Sequence, residues 1–284
     1  MSALQVNVHS RKQTGEIPSL RRGRFVEPQR KFAVYNNMGI ADRITETLAD
    51  SAVELNVSDV RIGVKYVSVQ LDNGSIGLAY LFPESLRCEN MLLSDDSHLA
   101  GMNAGELLSW LKTNNSLSRS IGLAAANAVI GSPGGRTLSG DVRSVIGLQA
   151  GEQVAMIGHF EPLVKDIRDQ CSLKIYEIDT TMADGLIESS DATEGLGSCD
   201  VALMTGTAII NGTMDGLLEA ATDCREVVIL GPSTPLVPEA FSGTPVTVLS
   251  GVVVIDDKIL RVVSEGGGMR RFKPCVQKLN LRLN

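Results

Sequence analysis

From Met38 onward, apolar residues return at helical spacing. Ile40, Ile44, Leu48 and Leu55, with Ala41 and Ala52 between them, form one stripe, while Asp42, Arg43, Glu46 and Asp50 fall off it. Asp59 to Phe82 then reads as strands. Asp-Asn-Gly-Ser at 72–75 predicts a hairpin, because Asn-Gly tolerates the positive φ of a tight primed turn. The alternation changes parity on the way: Val60, Ile62 and Val64 are apolar at even positions, Val67, Val69 and Leu71 at odd ones. A break or bulge near Gly63 to Tyr66 would reconcile the two. Helical spacing resumes over Ala104–Lys112 and Leu117–Ile130. A small antiparallel sheet backed by helices is an α+β unit.

"GSPGGRTLSGD" at 131–141 has four glycines and a proline, and it predicts a linker. Beyond it, strands and helices alternate: strands at Gln153–Ile157, Leu173–Ile178, Asp200–Met204, Glu226–Leu230 and Val246–Leu249, helices at Pro162–Cys171, Thr213–Ala221 and around Pro238–Phe241. Short apolar strands separated by helices predict a parallel sheet covered on both faces, a doubly wound, Rossmann-like α/β domain. The expected organisation is a basic extension over 1–37, an α+β domain over 38–130, a linker over 131–141 and a Rossmann-like domain over 142–284.

In such sheets, ligands bind in the crevice outside the carboxyl ends of the strands. Four strand ends here carry glycine, serine, threonine and asparagine: "GHFEP" at 158–162, "TGTAIINGT" at 205–213, "GPSTPL" at 231–236 and "SG" at 250–251. Exposed backbone N–H groups, hydroxyls and helix N-termini suit an anionic or polyhydroxylated ligand. Pro162 fits the first turn of a helix, and Glu161 beside it complements the helix dipole. His159, one residue past the strand, can serve as a metal ligand, a proton carrier or a hydrogen-bonding wall. The three histidines, His9, His98 and His159, show no H-x-x-x-H spacing, so a metal needs ligands from separate loops or a partner that itself chelates. Asp179 follows Gly158 by 21 residues (179 − 158), near the distance at which dinucleotide folds grip ribose hydroxyls. The G-x-G-x-x-G fingerprint is absent, which weakens a pyrophosphate reading.

Composition narrows the classes. Five scattered cysteines with no C-x-x-C pair support neither a disulfide framework nor a zinc knuckle, and a cytoplasmic protein is the simplest expectation. No apolar run reaches the ~18 residues of a membrane span. Residues 1–31 carry seven Lys/Arg against two Glu, a balance of +5, so the remainder carries −12 of the net −7. An acidic body with 4% aromatics disfavours nucleic acid, although a basic tail could touch a partner. A homo-oligomer stays open.

The strings "IGLAAANAV", "IGHFEP", "DVALMTGTAIINGTMDGLLEA", "VVILGPSTPLVPEAF", "VLSG" and "GGGMRRF" resemble a prokaryotic family of unknown function labelled "putative heavy-metal chelation". The resemblance runs from about Met38 to Phe272. It implies an enolase N-terminal-like domain joined to a Rossmann-like domain, with a ligand site in the cleft between them. Carried over by position, it implies Asn127, Gly158, Phe160, Pro162, Thr205, Gly206, Thr207, Asn211, Thr213, Gly231, Pro232, Ser233 and Gly251. His159 and Asp179 are added from the residues themselves, and His159 with Glu161 form the candidate pair for a divalent transition metal. The leading expectation is a protein that binds a metal, or a small anionic or metal-chelating ligand. The alternatives are an enzyme acting on a nucleoside-containing or phosphorylated metabolite, and an interaction module using the basic tail.

Overall fold

The structure is a computed structural model that describes residues 38–86, 98–134 and 137–283. The basic extension and Cys88 lie outside the described residues. Helix α1 (Ile40–Ala52) buries Ile40, Ile44, Leu48 and Ala52, the stripe that its spacing predicts. Strands β1 (Val57–Ile62), β2 (Tyr66–Leu71) and β3 (Ile76–Tyr80) form an antiparallel meander. The parity change is a full chain reversal, closed by the Gly63 N–H donating to the Tyr66 carbonyl at 2.9 Å. The irregularity in β1 lies elsewhere, between Val57 and Asp59. Gly74, at φ 84°, makes the second reversal.

Helices α2 (Ala104–Ser109) and α3 (Ser116–Ile130) back this sheet. Each begins on an asparagine whose side chain accepts a backbone N–H, Asn103 from Gly105 and Asn115 from Ser118. Helix α3 buries residues around much of its circumference, as a helix enclosed by other elements does. It crosses the sheet at Gly77, where a Cβ would stand 2.0 Å from the Ala124 carbonyl oxygen and 2.2 Å from the Ala128 nitrogen. Only glycine permits that approach.

Among the described residues the large sheet has eight strands. Strand β4 (Thr137–Ser139) arises inside the glycine-rich segment 131–141 and pairs antiparallel at one edge. Next along the chain come β5 (Gln153–Ile157), α4 (Glu161–Arg168), β6 (Ser172–Glu177), β7 (Leu186–Glu188) and α5 (Ala192–Leu196). They are followed by β8 (Val201–Thr205), α6 (Met214–Ala220), β9 (Glu226–Leu230), β10 (Val248–Val254), α7 (Lys258–Ser264), α8 (Met269–Phe272) and β11 (Val276–Arg282). The spatial order is β4-β11-β10-β9-β8-β5-β6-β7, and the six strands from β10 to β7 run parallel. Strands β11 and β4 close the far edge antiparallel.

The pleat divides the core into two faces. Val154, Met156, Leu203, Val228 and Leu230 pack with Leu163, Val164 and Ile167 of α4. Ala155, Ile157, Ala202, Met204, Val227 and Ile229 point the other way, into a core that also contains Ile40, Ile44, Ile121 and Ala125 from α1 and α3. Both sheets therefore share one apolar interior. Polar clasps reinforce it. Asp215 of α6 accepts the Ile40 N–H at 2.8 Å and so caps α1, and the Ser233 hydroxyl accepts the Tyr80 N–H at 2.8 Å. Arg43 donates to the Ser242 carbonyl at 3.0 Å.

The terminal glycine-arginine motif serves packing. Phe272 sets its ring edge-on to Tyr66 at 4.9 Å, and Arg271 pairs with Glu265. Among the described residues no helix is long and apolar enough to cross a membrane.

Asp141 ties the edge strand to its neighbour. Its carboxylate accepts from Lys278 at 2.8 Å and from Arg143 at 2.9 Å. Burial works to raise its pKa, but these hydrogen bonds win and hold it at about 2, below the ordinary 3.8. A depressed folded-state pKa adds stability that is present above the unfolded value and lost as pH falls through the folded one. This contribution is therefore complete above 3.8 and declines toward about 2. Asp141→Asn should lower the midpoint of thermal unfolding at neutral pH, with the gap to the parent closing in that acid window. A gap of constant size would assign the effect to packing.

Candidate functional site

The chain leaves β5 for β6 and β7 on one side, and returns through β8 to β9 and β10 on the other. The topological switch point therefore lies between the carboxyl ends of β5 and β8, where open α/β sheets hold their ligands. Gly158 follows β5 at φ 90°, and its N–H donates to the Tyr176 carbonyl at 2.8 Å. A Cβ there would stand 3.1 Å from the Thr205 Cβ, so the two strand ends touch. Gly231 follows β9 at φ 111°. The Phe160 ring lies 3.6 Å from the Cβ position of both Gly158 and Gly231, spanning the two turns.

The rest of the predicted set divides. Gly206 packs against the Thr234 nitrogen at 2.8 Å and Gly251 against the Thr234 carbonyl at 2.9 Å, both measured from the Cβ position. Ser233, 1% exposed, spends its hydroxyl on Tyr80, and Pro232 lies half-buried before it. The Thr234 hydroxyl is buried and has no hydrogen-bond partner among the described residues. Thr207 meets Thr205 hydroxyl to hydroxyl at 3.0 Å. Thus Gly158, Phe160, Thr205, Gly206, Thr207, Gly231, Pro232, Ser233 and Gly251 gather at the strand ends. Asn211 and Thr213 sit on the exposed run before α6, bonded to each other at 2.8 Å. Asn127 donates from α3 to the Leu78 carbonyl at 2.8 Å and holds the small sheet.

His159 and Glu161 stand side by side, with Nε2 and Oε2 2.9 Å apart. The imidazole is 11% exposed and the carboxylate 79%. Among the described residues no group of three His, Cys, Asp or Glu could hold a metal ion. Two donors are fewer than the four a divalent transition metal takes. Pro162 sits in the first turn of α4, which has no side-chain N-cap.

Asp179 turns inward on its own loop, with Oδ1 accepting from the Thr181 nitrogen and hydroxyl at 3.0 and 2.5 Å. Those bonds lower its pKa. The carboxylate at the end of β6 is Glu177, 19 residues after Gly158 (177 − 158), and it accepts the N–H groups of His159 and Ile178, each at 2.8 Å.

Three residues beyond the sequence-derived set join the neighbourhood. Glu177 is one, and an acidic strand terminus was its visible signal. Tyr80, the last residue of β3, is another: burial, then the charges of Glu177 and Glu84, push its phenol up. Nothing in its surroundings along the chain marks it. Arg119 is the third, the one charged residue of α3. It donates to the Ile209 carbonyl at 2.5 Å and abuts Gly212, while its Nε is buried with no partner among the described residues. Burial lowers its pKa against the charge of Asp215.

Comparison with known proteins places the chain in a family. Residues 141–282 match the DUF364 family model and residues 45–130 the DUF4213 model, both described as "Putative heavy-metal chelation". The chain belongs to the DUF364 family. An uncharacterised protein of Methanocaldococcus jannaschii is 22% identical over 253 residues, covering 86% of this chain and 96% of its own. A DUF364 protein of unknown function from Pyrococcus horikoshii superposes with a TM-score of 0.77 at 23% identity, over 86% of this chain and 100% of that one. A second, from Desulfitobacterium hafniense, gives 0.73 at 24% identity, over 87% and 99%. At these identities the likeness is one of fold.

Proposed function

We propose that the switch-point crevice binds a small anionic ligand that itself chelates a divalent transition metal, so that the metal is held as a complex. The observation that carries this reading is the His159–Glu161 pair. It offers two donors beside glycine turns, while the described residues assemble no third. An ion needing four or more donors must take the remainder from water or from the ligand. The Phe160 ring, packed across the Gly158 and Gly231 turns, offers such a ligand a face. The family description agrees with metal handling.

A second reading rests on Glu177. Its position at the end of β6 is where nucleoside-binding folds grip ribose hydroxyls, which favours an enzyme acting on a nucleoside-containing metabolite.

Thermal unfolding with Ni²⁺ alone, citrate alone, the preformed nickel–citrate complex and adenosine separates these readings. A ligand specific to the folded state raises the midpoint by mass action. The complex should raise it more than either component, and Thr207→Val should reduce that rise with little change in the unliganded midpoint. Stabilisation by adenosine alone would transfer the assignment to the nucleoside reading.

A further inference from the structure

Away from the crevice, at the amino ends of β8 and β9, two thiols meet. Cys199 precedes Val201 by two residues and Cys224 precedes Glu226 by two. Val201 and Glu226 are register partners on adjacent parallel strands, so the two cysteines face each other one step before the ladder begins. Their sulfurs lie 2.9 Å apart, and both residues are buried, 9% and 8% exposed. A disulfide sets sulfurs ~2.05 Å apart, so closure requires roughly 0.9 Å of approach. Four thiolates around a tetrahedral ion, with metal–sulfur lengths of ~2.3 Å, stand roughly 3.8 Å apart. No third donor joins this pair among the described residues. The geometry favours a sulfur–sulfur bond over a metal.

The two thiols are not equivalent. A hydrogen bond joins the two sulfurs, and this bond holds Cys199 below the ordinary thiol range despite burial, with help from the Ala155 N–H. The same bond, then burial, pushes Cys224 far up. The Cys224 sulfur also lies 3.5 Å from the Leu196 carbonyl at the end of α5, where negative dipole disfavours a second thiolate. One sulfur is set to attack and the other to keep its proton until it is needed.

Access is limited in a way that selects the reagent. Cys199 lines a cavity of about 20 Å³ together with Gln153, Lys174, Gly195 and Ser198. A space of that order admits roughly one water-sized molecule. It borders a wider hollow of about 220 Å³, which shares Lys174, Gly195 and Ser198.

We propose that Cys199 and Cys224 form a dithiol couple that hydrogen peroxide closes to a disulfide at the amino ends of β8 and β9. The Cys199 thiolate attacks one peroxide oxygen, the O–O bond breaks, and the product is a Cys199 sulfenic acid with hydroxide. The Cys224 sulfur then attacks the Cys199 sulfur, the S–O bond breaks, and the departing hydroxide takes up the Cys224 proton as water. In sum, two thiols and one peroxide give one disulfide and two waters: the sulfurs lose two electrons and the peroxide gains them. The bond joins two crossover connections on the edge of the sheet opposite the ligand crevice. The other described cysteines provide contrast. Burial raises both Cys171 and Cys275, and the Cys171 thiol donates to the Gln149 carbonyl at 3.3 Å.

The test uses the full chain, reduced and then exposed to one equivalent of hydrogen peroxide. The intact mass should fall by about 2 Da, digestion should yield one linked peptide pair joining Cys199 to Cys224, and dithiothreitol should reverse both. Cys224→Ser should leave a sulfenic acid at Cys199, read as a gain of about 16 Da in intact mass that maps to the Cys199 peptide. Recovery of the pair as free thiols while Cys88, Cys171 or Cys275 is oxidised would overturn the proposal. So would a linkage of either residue to a different cysteine. The wild-type measurement decides the matter even if the serine variant fails to fold.

Discussion

Gly77→Ala should destabilise the protein by more than about 3 kcal/mol, the upper range for overpacking a core. The added methyl would lie 2.0 and 2.2 Å from the Ala124 carbonyl oxygen and the Ala128 nitrogen, both backbone atoms of a helix that cannot swing aside as a side chain can. Either β3 separates from α3, or α3 distorts, and each outcome opens the shared interior. Gly74→Ala is the matched control. It meets open space but sits at φ 84°, so it should cost only about 1 kcal/mol of backbone strain. Urea unfolding of both variants reads the difference. Equal costs would mean that the helix does not approach the strand as closely as described.

His159→Gln should weaken the Ni²⁺–citrate interaction by at least about tenfold, or ~1.4 kcal/mol. Glutamine keeps comparable bulk and a hydrogen bond to Glu161 but ligates transition metals poorly. A metal at Nε2 would take the place of the contact with Glu161 Oε2 at 2.9 Å, and it binds only an unprotonated nitrogen. Affinity should therefore fall on acidification in the parent and lose much of that dependence in the variant. Glu161→Gln should cost a similar factor if the two residues chelate together. It should cost less if the carboxylate, 79% exposed, serves mainly the start of α4. Titration calorimetry at two pH values distinguishes these outcomes, and unchanged affinity in both variants would remove the pair from the site.

How legible each part was in the sequence follows from how strongly it is buried. Strands β5 and β9 match their expected bounds residue for residue, because both lie inside the sheet and read as unbroken apolar runs. Strand β11 is masked in the sequence because its Gln277 and Lys278 interrupt the alternation and are exposed. Strand β4 has three residues, two of them exposed, inside a segment whose glycines suggest only a loop. The change of parity before Val67 was visible, but a bulge and a reversal leave the same trace along one strand. Only the partner in space distinguishes them.

The candidate site behaves similarly. Glycine turns at strand ends are local chemistry, so Gly158, Gly206, Gly231 and Gly251 could be picked from their neighbours in sequence. Tyr80 could not, since its place beside the crevice depends on how the small sheet docks, with its N–H held by Ser233 from 153 positions away. Asp179 and Glu177 were separable only by knowing where β6 ends. Arg119 was visible as a lone charge in an apolar helix, and its meaning came from the Ile209 carbonyl that it reaches.

The cap on α1 has a consequence for how the chain is made. The Ile40 N–H waits for Asp215, which is synthesised 175 residues later. At ribosomal rates of ~5–20 residues per second, that interval is on the order of 9–35 s. During it, the first helix and the meander have left the ribosome without the large sheet that completes their interior. The face of α1 and α3 that later meets Ala155 and Val227 is open to solvent for that time. Nascent chains of this protein should be clients of a general chaperone until roughly the end of β9 has emerged.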